Sequence, residues 1–411
     1  MTVATKKVSA ASARAHTRKH TPSSSSSGTF KKLSLVLLVA SAALTYQAIQ
    51  PPPPRICGSP NGPPIASTRI KLKDGRHLAY LESGVPKEQA KHKIIFIHGF
   101  DSCRYDAMQI SSVLNCSPSL FLEKLLPALG AQCHLVHCLV IRPLSLLILR
   151  SQPSNQVLEE FGIYYLSFDR PGYGESDPHP KKSAKSIAFD IEELADQLGL
   201  GPKFYVVGFS MGGEIVWSCL KYIPHRLAGA ALLAPVANYW WDGFPSNLSK
   251  EAYNQQLPQD KWAVGVAHYA PWLTYWWNTR KWFPGSSVIA VRFDIFSDED
   301  KKILPKLAAR GPYMAQIRQQ GEFESLHRDM MVGFGSWDFS PMNLTNPFPN
   351  NEGSIHLWHG ARDLIVPVSL SRYICEKLPW VHYHELPTAG HMFPAADGMA
   401  DVIVKELLTK D

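Results

Sequence analysis

The sequence predicts an α/β protein with a doubly wound, mostly parallel sheet and a large helical insertion that forms a lid or cap. Three observations predict this class. Short, continuous apolar runs alternate with amphipathic segments, as buried parallel strands alternate with helices. One strand pattern ends at the glycine-flanked Ser210 and is followed at once by a helical pattern. A tryptophan-rich stretch over 236–351 then interrupts the alternation before it resumes.

The first part of the core is predicted over 69–235. Arg69–Ser83 alternates like two strands around a Lys-Asp-Gly-Arg turn. The apolar run Lys93–Phe100 has the composition of a strand buried on both faces. Gly162–Asp177 is a second such run and ends in a glycine-rich loop, and Ala184–Leu200 has the periodicity of an amphipathic helix.

The remaining strands follow in the same alternation. Lys203–Ser210 and Ala228–Pro235 are two further buried runs. Ile355–Gly360 and His382–Pro387 complete the series within a second core part at 352–411. In an open parallel sheet the functional site lies at the carboxyl ends of the strands, so the loops after these strands are expected to form it.

Three of those loops contain the side chains of a nucleophilic site. Ser210 ends one strand, Asp363 follows the strand Ile355–Gly360, and His391 follows the last strand. A serine hydroxyl needs an adjacent base, and a histidine base needs a carboxylate that fixes its tautomer and stabilises the imidazolium. Glycines on both sides of Ser210 permit a sharp strand-to-helix turn, and the helix that follows favours developing negative charge. The chain order serine, aspartate, histidine is that of a nucleophile elbow with its acid and base.

The chain resembles the α/β-hydrolase superfamily and looks like a membrane-anchored plant member of it. The resemblance covers about Arg69 to Lys410. Its motifs are HGF (98–100), DRPGYGES (169–176), GFSMGG (208–213), GARDLIVP (360–367) and AGHMF (389–393). The resemblance implies an α/β-hydrolase fold in which Ser210 is the nucleophile, His391 the general base and Asp363 the acid that orients it.

The resemblance also implies an oxyanion hole made by the backbone N–H groups of Phe100 and Met211. His98 is expected to brace the loop after its strand and not to act as a base. Serine at the elbow argues against epoxide hydrolase and dehalogenase activities, because those members of the superfamily use aspartate as the nucleophile. No metal and no other cofactor is implied.

The predicted function is a serine hydrolase that cleaves a carboxylic ester through an acyl-enzyme. Eight of the eleven tryptophans lie in 236–351, which favours an aromatic cap over an apolar substrate, with lipid esters and acylglycerols among the candidates. The same rings can instead serve only to pack the cap helices together. Two other classes stay open: a receptor-like protein that binds a ligand with little turnover, and an acyltransferase or C–C hydrolase on the same triad.

Two segments depart from a simple core. The spacing between the His98 and Asp169 motifs is longer than the superfamily usually has, which predicts an insertion at 108–153, either a lid element or a segment that does not join the core. Arg142-Pro143 in the middle of its apolar run argues against a second membrane helix. In the cap, 318–337 is predicted as one helix with His327 and Asp329 on a solvated face.

The chain before the core divides into three segments. Residues 1–32 are predicted to be a disordered, serine-rich basic tail, 33–49 a hydrophobic anchor and 50–68 a proline-rich linker. The anchor is uncharged and follows Lys31 and Lys32, which predicts a single membrane pass with a cytoplasmic N-terminus and an endomembrane location. A chloroplast transit peptide and a removed secretory signal are the alternatives that the composition leaves open.

Charge and cysteine content narrow the partners further. Lys and Arg number 42 against 35 Asp and Glu, and the net charge of +7 lies within 1–32, which has basic residues but no acid. Because the rest of the chain is formally neutral, the sequence predicts no nucleic-acid partner. The seven cysteines include no Cys-x-x-Cys pair, and the compact group Cys133–Cys138 lacks the separated pairs of a zinc site.

Overall fold

The computed structural model describes residues 26–108, 156–307 and 311–409, and residues 1–50 and 51–411 form two separate units. The predicted insertion 108–153, apart from Met108, and the group Cys133–Cys138 lie outside the described residues. So do residues 1–25 of the predicted tail.

The described part of the first unit, from residue 26 onward, contains the helix α1 (Ser26–Ile49). Its segment Thr29–Ile49 is long and apolar enough to cross a membrane, a property that a signal sequence near an N-terminus shares. The apolar side chains from Leu33 to Leu44 are exposed. The helix begins at Ser26, before the predicted anchor at 33–49.

The second unit is built on a sheet of eight strands within the described residues, and the predicted α/β class with a mostly parallel sheet is confirmed. The strand order is β1-β2-β4-β3-β5-β6-β7-β8. The two pairings that involve β2 are antiparallel, and the other five are parallel. The strands are β1 (Arg69–Lys71), β2 (His77–Gly84), β3 (His92–Ile97), β4 (Ile163–Phe168), β5 (Phe204–Phe209), β6 (Leu227–Leu233), β7 (Ile355–Gly360) and β8 (Val381–Leu386).

Helices cover both faces of the sheet. The core helices are α2 (Gln156–Glu160), α3 (Ala184–Gln197), α4 (Met211–Tyr222), α11 (Val368–Lys377) and α12 (Met399–Leu408). Alternate side chains of a strand point to opposite faces, and those of β3 enter two different clusters. Ile95 and Ile97 pack with α3, α4 and α11, whereas Ile94 and Phe96 pack with α2 and α12. Each fully buried side chain of this kind contributes about 2 kcal/mol of hydrophobic stabilisation.

The ends of α3 show how local sequence sets an element. Ser183 caps the helix, because its hydroxyl accepts a hydrogen bond from the Ser186 N–H at 3.1 Å. Apolar residues at helical spacing, among them Ile187, Ile191 and Leu194, are fully buried. Gly199 adopts a left-handed backbone with φ of 65° and ends the helix.

The cap is inserted between β6 and β7. Its helices are α5 (Ser246–Gln255), α6 (Pro258–Tyr269), α7 (Thr274–Thr279), α8 (Asp298–Leu307), α9 (Gly311–Ile317) and α10 (Arg328–Gly333). Aromatic rings pack the cap together, with Trp240 stacked on His268 at 3.9 Å and Trp262 on Trp277 at 5.5 Å between ring centroids.

The predicted solvated face around His327 and Asp329 is wrong. A π-helical turn at Phe323–His327 precedes α10, and both side chains are buried. Asp329 lies 2.6 Å from Arg170 Nη2 and 2.5 Å from Lys182 Nζ. Charged partners on the core, which helical periodicity does not reveal, therefore hold this cap carboxylate inside.

Two pKa shifts follow from this contact. Burial would raise the pKa of Asp329, but the charges of Arg170 and Lys182 lower it to about 2. Burial lowers the pKa of Lys182 to about 8, against the opposing effect of Asp329. The contact thus joins α10 of the cap to the core through a buried ionic group.

Candidate active site

Ser210 occupies a strained turn between β5 and α4. Its φ of 55° and ψ of −118° are unusual for a residue with a Cβ and cost about 1–3 kcal/mol. Two backbone hydrogen bonds hold the turn: Ser210 N–H donates to Leu233 O at 2.8 Å, and Val236 N–H donates to Ser210 O at 3.1 Å. The end of β6 therefore fixes the position of the serine.

Two glycines make this turn sterically possible. A Cβ at Gly208 would lie 2.3 Å from Gly212 O, and a Cβ at Gly212 would lie 2.0 Å from Ile97 O. Only glycine lets the start of α4 approach β3 and β5 this closely. The pattern around Ser210 is thus a packing requirement of the elbow.

The structure brings Ser210, Asp363 and His391 together from three strand-end loops. His391 Nε2 lies 3.1 Å from Ser210 Oγ, and His391 Nδ1 lies 2.7 Å from Asp363 Oδ2. All three side chains are buried, with exposed fractions of 7%, 8% and 4% respectively. This is the geometry in which a carboxylate orients an imidazole and the imidazole contacts a hydroxyl.

Asp363 is held as a carboxylate. Its Oδ1 accepts hydrogen bonds from the N–H groups of Ile365 at 2.8 Å and Val366 at 2.9 Å, and His359 Nε2 lies 3.2 Å from its Oδ2. Burial would raise the pKa of Asp363, but the imidazole of His391 and the hydrogen bonds from both histidines hold it well below its usual range. For His391, burial lowers the pKa and the charge of Asp363 raises it, with a net rise.

Phe100 and Met211 lie beside Ser210, and all three residues line one cavity. Met211 is the first residue of α4, and neither its N–H nor that of Phe100 donates a hydrogen bond to any residue that the structure describes. Both amides are therefore available to an oxygen atom next to Ser210.

Both ring nitrogens of His98 contact backbone groups and not Ser210. Its Nε2 accepts a hydrogen bond from Arg170 N–H at 2.9 Å, and its Nδ1 lies 2.8 Å from Gly99 O. Burial, aided by the charge of Arg170, holds the pKa of His98 well below its usual range. A neutral imidazole with both nitrogens engaged braces the loop before Phe100.

A cavity of about 100 Å³ opens on Ser210 between the core and the cap. Its wall is mainly apolar, with Val264 and Ile295 contributed by the cap. None of the eight tryptophans of 236–351, all within the described residues, lines it. Aliphatic side chains, methionine, tyrosine and phenylalanine therefore provide the apolar surface of the cavity. Some of the tryptophans pack the cap, although the exposed ones include Trp262, Trp272 and Trp282.

The sequence matches the family described as alpha/beta hydrolase fold over residues 125–395. The chain belongs to the α/β-hydrolase fold family. No curated protein matches it. Among solved structures, this α/β-hydrolase is similar to a thermophilic esterase from Thermogutta terrifontis, an esterase from Exiguobacterium antarcticum and an alpha/beta hydrolase fold protein from Chitinophaga pinensis.

These similarities are distant in sequence. The identities are 18%, 15% and 14%, and the TM-scores are 0.45, 0.47 and 0.49, in the same order. Each comparison covers 84% of this chain, and it covers 98%, 100% and 98% of the three other chains.

Sequence reasoning missed one residue of the α/β-hydrolase site, Asp300 in the first turn of the cap helix α8. Its carboxylate accepts hydrogen bonds from the backbone N–H groups of His391 at 3.1 Å and Met392 at 2.6 Å. Ser297 and Asp300 also form a capping box, with the Ser297 hydroxyl donating to Asp300 at 2.7 Å. The pattern Ser-x-x-Asp could have predicted the cap of the helix, but not its contact with the histidine loop.

One group of described residues has the composition of a metal site. The ligand atoms of His356, His384 and Glu406 lie within 4.8 Å of one another. The two imidazoles contact each other, with His356 Nδ1 3.0 Å from His384 Nε2. His356 is near the start of β7, at the opposite end of the strand from the loop of Asp363, so this group is separate from the serine site.

Proposed function

We propose that this α/β-hydrolase is a serine hydrolase that cleaves a carboxylic ester through an acyl-enzyme. The observation that supports this most is the hydrogen-bonded series Ser210–His391–Asp363, which opens on an apolar cavity. In the first half of the reaction, Ser210 Oγ attacks the ester carbonyl as His391 Nε2 accepts its proton. The tetrahedral intermediate then expels the alcohol, which takes that proton from His391.

The second half of the reaction hydrolyses the acyl-enzyme and regenerates the Ser210 hydroxyl. His391 accepts a proton from a water molecule, whose oxygen attacks the acyl carbonyl, and the proton passes to Ser210 Oγ as the acid leaves. Asp363 stays ionised throughout and stabilises the imidazolium. The N–H groups of Phe100 and Met211 bind the oxyanion, each contributing about 3 kcal/mol to stabilisation of the transition state.

The substrate that fits this site is a small ester with an apolar portion. The cavity wall is largely aliphatic, so an acyl or alkyl chain is bound by burial of its surface. We include in the proposal that α1 anchors the protein in an endomembrane, because its segment Thr29–Ile49 is long and apolar enough to cross a bilayer. Lipid esters and acylglycerols are the substrates that such an anchor would favour.

The test is covalent labelling of the full-length protein in detergent with a fluorophosphonate, followed by turnover of p-nitrophenyl and acylglycerol esters. The wild type and Ser218→Ala should be labelled, whereas Ser210→Ala should not. Ser218 is the matched control, because it is a buried serine on α4 whose hydroxyl has no described partner. Labelling of Ser210→Ala would contradict the proposal, and labelling without ester turnover would favour a ligand-binding role or transfer to another acceptor.

A further inference from the structure

The cavity beside Ser210 contains a single carboxylate among its described lining residues, Asp260. Asp260 lies in the first turn of the cap helix α6 and is buried. Those described lining residues include no lysine, arginine or histidine. A carboxylate is thus placed against a mainly apolar surface, where a buried charge without a counter-ion is unfavourable.

The two oxygens of Asp260 are used differently. Oδ1 accepts hydrogen bonds from Ser286 Oγ at 3.0 Å and from Ser287 N–H at 2.7 Å. The hydrogen bonds with defined geometry that described residues donate to Asp260 go to Oδ1, and no described cation forms an ion pair with the carboxylate. The Ser287 hydroxyl and the charge of Arg292 also act on Asp260, and both oppose the rise in its pKa that burial causes. The nearby Arg292 is exposed and pairs with Asp294 at 2.7 Å. The two serines therefore fix the orientation of Asp260 and leave one oxygen open.

A purely structural role explains why Oδ1 accepts hydrogen bonds, but it does not explain why the residue is an aspartate. Holding the Ser286–Ser287 turn against the start of α6 requires one acceptor oxygen, which an asparagine could provide without a buried charge. Burial raises the pKa of Asp260, and the hydrogen bonds from Ser287 and Ser286 oppose the rise. Gln256 also lines this cavity, and its Nε2 donates a hydrogen bond to Ile365 O at 3.2 Å.

We propose that Asp260 is a specificity-determining residue whose open oxygen accepts a hydrogen bond from the substrate. The preferred ester then has an apolar chain that ends in a hydrogen-bond donor, either a hydroxyl or an ammonium group. This inference rests on the proposed function, because it specifies which ester the Ser210 site selects. The donor gives Asp260 Oδ2 a hydrogen bond inside the cavity, so a plain alkyl chain that cannot do this binds less well.

The test compares matched esters on the full-length wild type. In the acyl-side series, p-nitrophenyl alkanoates of increasing chain length are paired with their ω-hydroxy and ω-ammonium analogues. In the alcohol-side series, acetates of alkanols are paired with those of the corresponding diols and amino alcohols. In one series at least one chain length should show a kcat/KM about tenfold or more higher for a donor-bearing ester.

Substitutions of Asp260 test whether this residue causes the preference for donor-bearing esters. The ratio of kcat/KM values, donor-bearing over plain, should fall to about one in Asp260→Leu. In Asp260→Asn the ammonium preference should be lost, whereas part of a hydroxyl preference should remain because the amide oxygen still accepts. Asp294→Asn, which neutralises an exposed carboxylate outside the cavity, is the matched control and should retain the wild-type ratio.

The outcomes separate this inference from the proposed function. Plain esters that are hydrolysed by the wild type and not by Ser210→Ala would support the function alone. The assignment of Asp260 is overturned if the wild type hydrolyses plain esters but prefers no donor-bearing ester in either series. It is also overturned if Asp260→Leu has the melting temperature of the wild type and keeps the preference. The wild-type comparison decides the question even if the Asp260 variants fail to fold.

Discussion

In the proposed mechanism, His391 accepts a proton from Ser210 while Asp363 contacts its other ring nitrogen. The same carboxylate that orients the ring also stabilises its charged form, and this effect exceeds the opposing effect of burial on the pKa of His391. The imidazole is consequently a stronger base than a free histidine, at the cost of being protonated over a wider range of pH.

The pH dependence of ester hydrolysis tests this balance. Because only the neutral imidazole accepts the serine proton, kcat/KM should fall as pH is lowered through the raised pKa of His391, above about 6.5. Asp363→Asn removes the charge that raises this pKa, so the acid limb should move to lower pH and kcat should fall about 10⁴-fold. A pH–rate profile of both proteins checks this, and a limb that stays in place or moves upward would argue against the assigned pair.

At the scale of elements, α8 is the part of the cap that reaches the base. Asp300 accepts the backbone N–H groups of His391 and Met392 from within the first turn of this helix. The contact fixes the loop and not the reacting atoms, so Asp300 is a positioning residue.

Replacing Asp300 separates positioning from binding. Asp300→Ala leaves two buried N–H groups without their acceptor, so kcat should fall about tenfold or more while KM changes less. Its negative charge also contributes to the raised pKa of His391, so the acid limb should move slightly to lower pH. The control is Asp298→Ala, an exposed carboxylate in the same turn whose described partner is Lys301 at 3.0 Å. Equal losses in the two variants would indicate a general defect of the helix.

The buried contact of α10 with the core makes a prediction about stability. Asp329→Ala should reduce the free energy of unfolding by about 3–5 kcal/mol, because it leaves Arg170 and Lys182 buried without a counter-ion. Chemical unfolding measures this, with Glu322→Ala as the control, since its exposed pair with Arg318 is worth only about 0.5 kcal/mol. The pKa of Asp329 is lowered, so this contribution is present above the unfolded pKa of about 4 and is lost as pH falls toward 2. A small loss in Asp329→Ala would mean that relaxed packing or water replaces the missing carboxylate.

At this scale the sequence predicts the elements of the core, but it does not predict the contacts that the cap makes with the core. The strands and α3 follow from apolar runs, a serine cap and a glycine stop, all of which are local signals. Asp300 and Asp260 could not be chosen from the sequence, because each resembles an ordinary helix N-terminal carboxylate and acquires its meaning from loops far along the chain. Asp329 was misplaced for the same reason, since its partners belong to another part of the fold.

At the scale of the whole molecule, the apolar helix α1 and the unit formed by 51–411 are expected to divide two tasks, attachment and chemistry. Exposed leucine and valine side chains along α1 are costly in water and favourable in a bilayer. We therefore expect deletion of residues 1–50 to move the protein from the membrane fraction to the soluble fraction. Hydrolysis of soluble p-nitrophenyl esters should be retained, which fractionation and a colorimetric assay measure together. A deletion variant that stays with the membranes would refute the anchor, and a soluble but inactive one would show that the first unit supports the site.

The contact between α8 and the histidine loop restricts how new members of this family can be built by recombination. A Cβ at Gly390 would lie 2.1 Å from Ser297 Oγ and 2.3 Å from Asp300 Oδ2, so the loop and the helix start can only be exchanged as a matched set. A chimera that takes a foreign cap without the Ser-x-x-Asp start, or a core without this glycine, would inherit a misplaced base. Grafts confined to α6 avoid this restriction. If Asp260 selects the substrate as proposed, the segment around it is where directed evolution should alter substrate choice with the least damage to catalysis.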